Sequence, residues 1–171
     1  NFWDTAEIYS IPPKQETFGD TEVIIGNWFE KTKKRDKVIL ASKVCGPMRE
    51  YVRGGGNQFG TKNITEALEG SLKRLKTDYV DLLYLHWPER NVPMFGQYKF
   101  DPEMEYRDGK KINWVSIEEQ LNTLSELVSS GKARFIALSN EWSWGVMEFI
   151  RIAREKGLPV ICNIQNNYSL L

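Results

Sequence analysis

The heptapeptide Val38-Ile39-Leu40-Ala41-Ser42-Lys43-Val44 sets the architecture of this chain. It is mostly apolar and follows a charged turn at residues 33–37. A strand of this kind is expected where helices cover both faces of a parallel sheet, or where a closed barrel surrounds it. Lys43 stands at its C-terminal end. A lysine inside such a run is poorly placed to reach bulk water and needs an anion beside it.

Comparable strands lie on either side. Residues 1–4 read as the end of a buried strand that runs into Asp4, with Tyr9 five residues later. Residues 79–85, Tyr-Val-Asp-Leu-Leu-Tyr-Leu, form a third strand and lead into His86-Trp87-Pro88. A fourth, at 134–139, ends in Ser139-Asn140, and a fifth, at 160–165, ends in Gln165.

Helical patterns separate the strands. Residues 20–31 predict a helix with Asp20 as N-cap and Val23, Ile24 and Trp28 on one face. Asn63 and Glu66 have capping-box spacing before a stripe of Ile64, Leu68, Leu72 and Leu75. Ser116 and Glu119 repeat that spacing before Ile117, Leu121, Leu124 and Val128, and Gly131 ends the helix. Residues 144–156 complete the set, with Val146, Phe149, Ile150 and Ala153 inward and Gly157 closing.

Strand and helix therefore alternate without a break, the signature of parallel βαβ units in an α/β protein. No Gly-x-Gly-x-x-Gly follows any strand, which weakens a dinucleotide-binding doubly wound sheet. A (β/α)8 TIM barrel fits better, although such barrels take about 250 residues. Five strands in 171 residues predict a single, truncated barrel domain over residues 1–171, with pieces missing at both ends.

Three loops are long. Residues 11–19 hold two prolines and a glycine and resist regular structure. Residues 45–61 contain Gly54-Gly55-Gly56 without Walker spacing, so they read as a flexible loop and not a phosphate cradle. Residues 89–115 carry Pro93, Phe95, Tyr98, Phe100, Tyr106 and Trp114, a content that favours a wall or lid over an apolar ligand.

Composition narrows the function. The 23 basic and 23 acidic residues cancel, which argues against a nucleic-acid surface. No apolar run is long enough to span a membrane and no signal-peptide pattern opens the chain, so a cytoplasmic location is the expectation. Cys45 and Cys162 provide no disulfide framework, and one histidine with two separated cysteines predicts no metal site.

Every strand places a polar side chain at its C-terminal end: Asp4, Lys43, His86, Ser139 with Asn140, and Gln165. In a barrel that end carries the active site. Taken singly, each has a plain structural reading: Asp4 as a turn or cap residue, Ser139-Asn140 as a cap, His86 as a hydrogen-bonded core residue. Their coincidence on five strands points to a site.

The same residues carry a family resemblance. Phe-Trp-Asp-Thr-Ala-Glu-Ile-Tyr (2–9), Ala-Ser-Lys (41–43), Ser-Leu-Lys-Arg-Leu-Lys-Thr-Asp-Tyr-Val-Asp-Leu-Leu-Tyr-Leu-His-Trp-Pro (71–88), Gly-Lys-Ala-Arg-Phe-Ile-Ala-Leu-Ser-Asn (131–140) and Ile-Gln-Asn-Asn-Tyr-Ser-Leu-Leu (164–171) resemble the aldo-keto reductases, most closely the Tas-like branch. The resemblance implies strands two to six of the barrel, with the first, seventh and eighth outside this chain. It implies a catalytic tetrad of Asp4, Tyr9, Lys43 and His86, and contacts to a nicotinamide carboxamide from Ser139, Asn140 and Gln165. NADP(H) is the cofactor that the family leads one to expect, with NAD(H) left open.

The implied activity is reduction of a small aldehyde or ketone. Tyr9 would supply the proton, Lys43 and Asp4 would tune it, and His86 would orient the carbonyl. A free phenol has a pKa near 10, and lowering it by roughly 2–3 units takes about 3–4 kcal/mol. A cation about 4 Å away at a surface-like dielectric supplies roughly that much, with burial opposing it. Trp3, Trp87, Phe95 and Trp114 are the candidate pocket walls, each equally readable as core. Two other readings stand beside the enzyme: a cofactor-binding regulatory or sensor subunit of the same fold, and a piece inactive on its own.

Overall fold

The computed structural model describes residues 1–47, 49–55 and 58–168. Gly56 of the glycine run and residues 169–171 of the last quoted stretch lie outside the described residues.

Five parallel strands form one sheet: β1 (Phe2–Asp4), β2 (Ile39–Val44), β3 (Val80–Leu85), β6 (Ala133–Ser139) and β7 (Asn163–Gln165), in that spatial order. The sheet curls into a half-barrel with helices outside it. The helices are α1 (Asp20–Thr32), α2 (Thr61–Leu75), α3 (Ile117–Ser129) and α4 (Ser143–Lys156). Between β3 and α3 a small antiparallel hairpin pairs β4 (Tyr106–Arg107) with β5 (Lys110–Lys111). The connection at 89–115 is thus not structureless: it also holds a 3-10 turn at Pro102–Glu105, capped by the Asp101 side chain.

Register places alternate residues on opposite faces. One set (Leu40, Val44, Leu83, Leu85, Ile136, Leu138) meets the helices in the main core with Leu68, Leu72, Leu121, Leu124 and Phe149. The other set forms the concave face, where Ala41, Tyr84 and Ala137 pack together against Leu82. Asp4, Lys43, Ser139 and Gln165 have the parity of this second set, as their pairings Asp4↔Ala41, Lys43↔Tyr84 and Ser139↔Gln165 require.

Two helices differ from the sequence pattern. Helix α1 is capped by Gly19 in the left-handed region, so Asp20 is already helical and lies in the first turn. Its buried residues are Glu22, Gly26 and Phe29, whereas Val23 and Ile24 are exposed. Gly26 explains the rotation. A Cβ there would stand 2.1 Å from the Arg74 carbonyl oxygen, so only glycine lets α1 reach the end of α2. Glu22 then enters the core, accepts from Arg74 Nε at 2.8 Å and from Ser42 Oγ at 2.5 Å, and ties α1 to α2 and β2. Helix α2 begins earlier than its spacing suggested, with Gly60 as N-cap, so Asn63 is a first-turn residue and not the cap.

The remaining helices follow their patterns closely. Ser116 caps α3 by accepting from Glu119 N–H at 3.1 Å. In α4 the inward positions are Gly145, Phe149, Ile152 and Ala153, one step round from the expected Ile150. Strand β7 is shorter than predicted because residues 159–162 leave the ladder, apart from Cys162 N–H bonding to Ile136 O. Among the described residues no helix is long and apolar enough to cross a membrane, and no group of three or more His, Cys, Asp or Glu side chains is placed to hold a metal ion.

Candidate active site

The C-terminal ends of the five strands converge on Lys43. Its side chain is 1% exposed and stands on β2 with Asp4 of β1 on one side. Lys43 Nζ donates to Asp4 Oδ2 at 2.7 Å and to Thr5 O at 2.9 Å. The anion that a buried lysine needs is therefore Asp4, helped by a main-chain carbonyl. Burial pulls the ammonium below its ordinary value, and the Asp4 carboxylate resists that pull.

Tyr9 follows on the loop after β1. Its backbone is fixed at both ends, with Tyr9 N–H bonding to Ala6 O and Gly19 N–H to Tyr9 O. Lys43 Nζ lies 4.9 Å from the centre of its ring. His86 meets the same ring edge-on, with centroids 5.6 Å apart. The phenol is shifted upward, first by burial and then by the Asp4 charge. The expected net lowering by Lys43 is thus not what this arrangement gives, because Lys43 is already neutralised by Asp4 and burial acts against ionisation.

His86 continues β3 and is held by its own N–H to Val44 O. It is buried, its Nδ1 has no partner among the described residues, and burial with the Lys43 charge pushes its pKa down to about 3. The imidazole is neutral at ordinary pH. It can donate or accept a hydrogen bond but does not carry a proton charge to a substrate.

Ser139, Asn140 and Gln165 stand together beside the tetrad. Ser139 Oγ donates to Gln165 O at 3.0 Å, and Gln165 Nε2 donates to Asp4 Oδ2 at 3.2 Å. Asn140 sits at φ 54°, a left-handed conformation that asparagine tolerates better than most residues. Its Nδ2 donates to His86 O at 2.8 Å and to Ser139 Oγ at 3.1 Å, leaving Oδ1 as the atom of its amide free to serve a ligand. The seven strand-end and loop residues proposed from sequence are therefore one constellation.

A cavity of about 500 Å³ opens in front of it. Tyr9, His86 and Asn140 line its polar side, and Ile8, Ile11, Trp87, Met94 and Phe95 its apolar side. Of the four candidate wall aromatics, Trp87 and Phe95 are there. Trp3 is not, since its parity on β1 turns it to the helices, where it packs on Trp28 and Phe29. Trp114 lies behind, in a separate recess lined by Pro47, Pro88 and Ile112. Tyr98, Phe100 and Tyr106 are all exposed and line neither the cavity nor its mouth.

The structure adds residues that spacing did not single out. Glu7 accepts from Cys45 N–H at 2.9 Å and pairs with Arg53, bracing the loop after β2. Tyr84 donates to Asn163 Oδ1 at 2.6 Å on the concave face below Lys43. Asn166 exchanges two hydrogen bonds with the Glu141 backbone, fixing the chain after Gln165. Glu89 accepts from Phe59 N–H at 2.5 Å and Val115 N–H at 3.4 Å behind Trp87. Glu7 lay inside the quoted stretch 2–9. The others join segments distant in sequence, and nothing in their own segments marks the partner.

The profile of the Aldo/keto reductase family matches residues 1–171. Protein tas of Escherichia coli is 44% identical over 173 residues, covering 100% of this chain and 48% of that protein. An aldo-keto reductase of Babesia bovis is 39% identical over 140 residues, 79% of this chain and 48% of its own. The crystal structure of a thermostable aldo-keto reductase with the inhibitor epalrestat superposes with TM-score 0.64 at 28% identity, over 96% of this chain and 44% of that one. The chain spans about half the length of these relatives. A half-barrel of parallel strands, a buried lysine facing an aspartate and a tyrosine at the strand ends, and a match along all of its length lead to one assignment: the chain belongs to the aldo/keto reductase family.

Proposed function

We propose that the natural protein containing this chain reduces aldehydes or ketones to alcohols, with Tyr9 as proton donor, Lys43 and Asp4 as its electrostatic support, and His86 as the group that orients the carbonyl. The observation that carries this reading is the placement of Lys43. A lysine buried to 1% exposure, paired with Asp4 and 4.9 Å from the Tyr9 ring, has no evident structural use that a neutral residue would not serve better.

The hydride for the carbonyl carbon would come from a reduced nicotinamide, NADPH by family and NADH as the other possibility. The carbonyl π-bond opens, and its oxygen takes one proton from the Tyr9 hydroxyl. A phenol is protonated at neutral pH at its ordinary pKa of 10, and burial raises it further, so the donor is loaded before the reaction. The tyrosinate that remains, with the Lys43 ammonium 4.9 Å from its ring, takes a proton back from solvent. His86, neutral and on the cavity wall, offers a hydrogen bond to the carbonyl oxygen without competing as an acid.

The nicotinamide fits the residues present. The Asn140 amide, bonded through Nδ2 to His86 O and Ser139 Oγ, and the Gln165 amide, bonded to Asp4, both stand at the sheet end, and an amide oxygen suits the NH2 of a carboxamide.

The test is NADPH consumption with small aldehydes by the natural protein and by Tyr9→Phe. Loss of a general acid is expected to cost about 10²–10⁴ in kcat. Thermal stability should stay within about 0.5 kcal/mol, because the hydroxyl makes no hydrogen bond among the described residues. A Tyr9→Phe protein that keeps full rate overturns the proton-donor role.

A further inference from the structure

Two arginines flank one turn after β2, and the structure uses them differently. The turn closes through Val52 N–H to Arg49 O at 3.0 Å, with the Val52 side chain buried beneath it and Tyr51 edge-on to Phe18. Arg53 turns inward to the buried Glu7 carboxylate and also donates to Cys45 O. That pair spends its charge on the fold. Arg49 makes no ion pair among the described residues and instead lines the cavity.

The cavity makes this unusual. Its other lining side chains are apolar or neutral, and His86 is neutral as well, so Arg49 is its one charged residue among those described. The catalytic charges do not balance it, because Lys43 and Asp4 neutralise each other outside the lining. Gln97 stands in the same wall and adds a neutral amide. Arg49 is exposed and borders this apolar space from a braced turn, and a guanidinium so placed is suited to a planar oxyanion.

Resting on the reduction proposed above, we infer that the substrate is a carbonyl compound with an apolar body and an anionic group, and that Arg49 binds that group. Ile8, Ile11, Trp87 and Phe95 would hold the body, with the carbonyl toward Tyr9 and His86. Carboxylate and phosphate share this recognition chemistry.

The experiment compares three aldehydes with the natural protein: para-carboxybenzaldehyde, its neutral methyl ester, and para-formylphenyl phosphate. The readout is the ratio of kcat/KM for each anion to that for the ester. The wild-type ratio should exceed one for at least one anion and identifies which. In Arg49→Met it should fall by about tenfold, chiefly through KM. Arg49→Lys should keep part of it, and Arg49→Glu should invert it. An unchanged ratio in Arg49→Met overturns the inference while leaving the reductase reading intact.

Calorimetric titration with para-carboxybenzaldehyde and its ester separates the opposite case. If neither is reduced but the carboxylate binds more tightly than the ester, and loses that advantage in Arg49→Met, the anion site stands and the reductase reading fails. If the two ligands bind alike in wild type, and para-formylphenyl phosphate also binds no more tightly than the ester, the inference fails.

Discussion

Replacing Glu89 by glutamine should change how stability depends on pH, and by an amount the structure sets. Glu89 is 3% exposed and accepts main-chain N–H bonds from loops ahead of α2 and α3. Burial outweighs those bonds and pushes its carboxyl from 4.5 up to about 7. A carboxyl raised in the folded state contributes stability that is full below its unfolded value near 4.5 and lost as pH rises through about 7. The swing is about 3 kcal/mol. His86, three residues away, acts in the opposite sense. Its pKa is about 3 instead of 6.5, so its contribution is present above 6.5 and lost as pH falls toward 3. Between about 4.5 and 6.5 the two slopes nearly cancel in the wild type. Glu89→Gln removes one of them. Urea unfolding at a series of pH values, taken as the difference between variant and wild type, should show the variant gaining about 3 kcal/mol relative to wild type from pH 4.5 to pH 8. A difference that is flat with pH would show that Glu89 does not titrate with the fold, and the reasoning would fail.

Other consequences are simpler to check. The pH profile of carbonyl reduction should lack a limb near 6.5, because His86 stays neutral, and should fall only above the ordinary phenol value of 10 as Tyr9 loses its proton; a limb near 6.5 in kcat/KM would contradict both assignments. Gly26→Ala should destabilise by roughly 2–3 kcal/mol in chemical denaturation, since the new methyl meets the Arg74 carbonyl at 2.1 Å and backbone cannot swing aside. Ser116→Ala should cost about 1 kcal/mol by removing the acceptor for Glu119 N–H, and Ser116→Asp should restore most of it.

The strand positions and the polar residues at their ends were legible because each is local, and the parallel direction followed from the alternation of strand and helix. An apolar run followed by one polar residue is written within seven positions, as in 38–44. The inner stripes of α2 and α3 were legible for the same reason. The face of α1 was not, because a single glycine lets the helix sit against α2, and hydrophobicity at Val23 and Ile24 does not report that contact. Trp3 was misplaced among the pocket walls although strand parity alone assigns it to the opposite face from Asp4. The direction of the Tyr9 shift depends on burial and on the Asp4–Lys43 pair, neither of which a spacing carries. Glu89 and Arg49 matter through residues tens of positions away, and a linear reading has no view of them.

One contact joins the two ends of the sheet. Asp4 and Gln165 belong to its outermost strands, β1 and β7, yet their side chains meet at 3.2 Å. They touch only because the sheet is bent, so this hydrogen bond works as a gauge of curvature. Asp4 is also the partner of Lys43, and any flattening of the sheet pulls on the pair that supports Tyr9. The geometry of the proposed catalytic group is thereby tied to the shape of the whole layer. Under gentle stress, from mild denaturant or a residue inserted in an edge strand, chemistry should fade while every helix and strand is still counted as present.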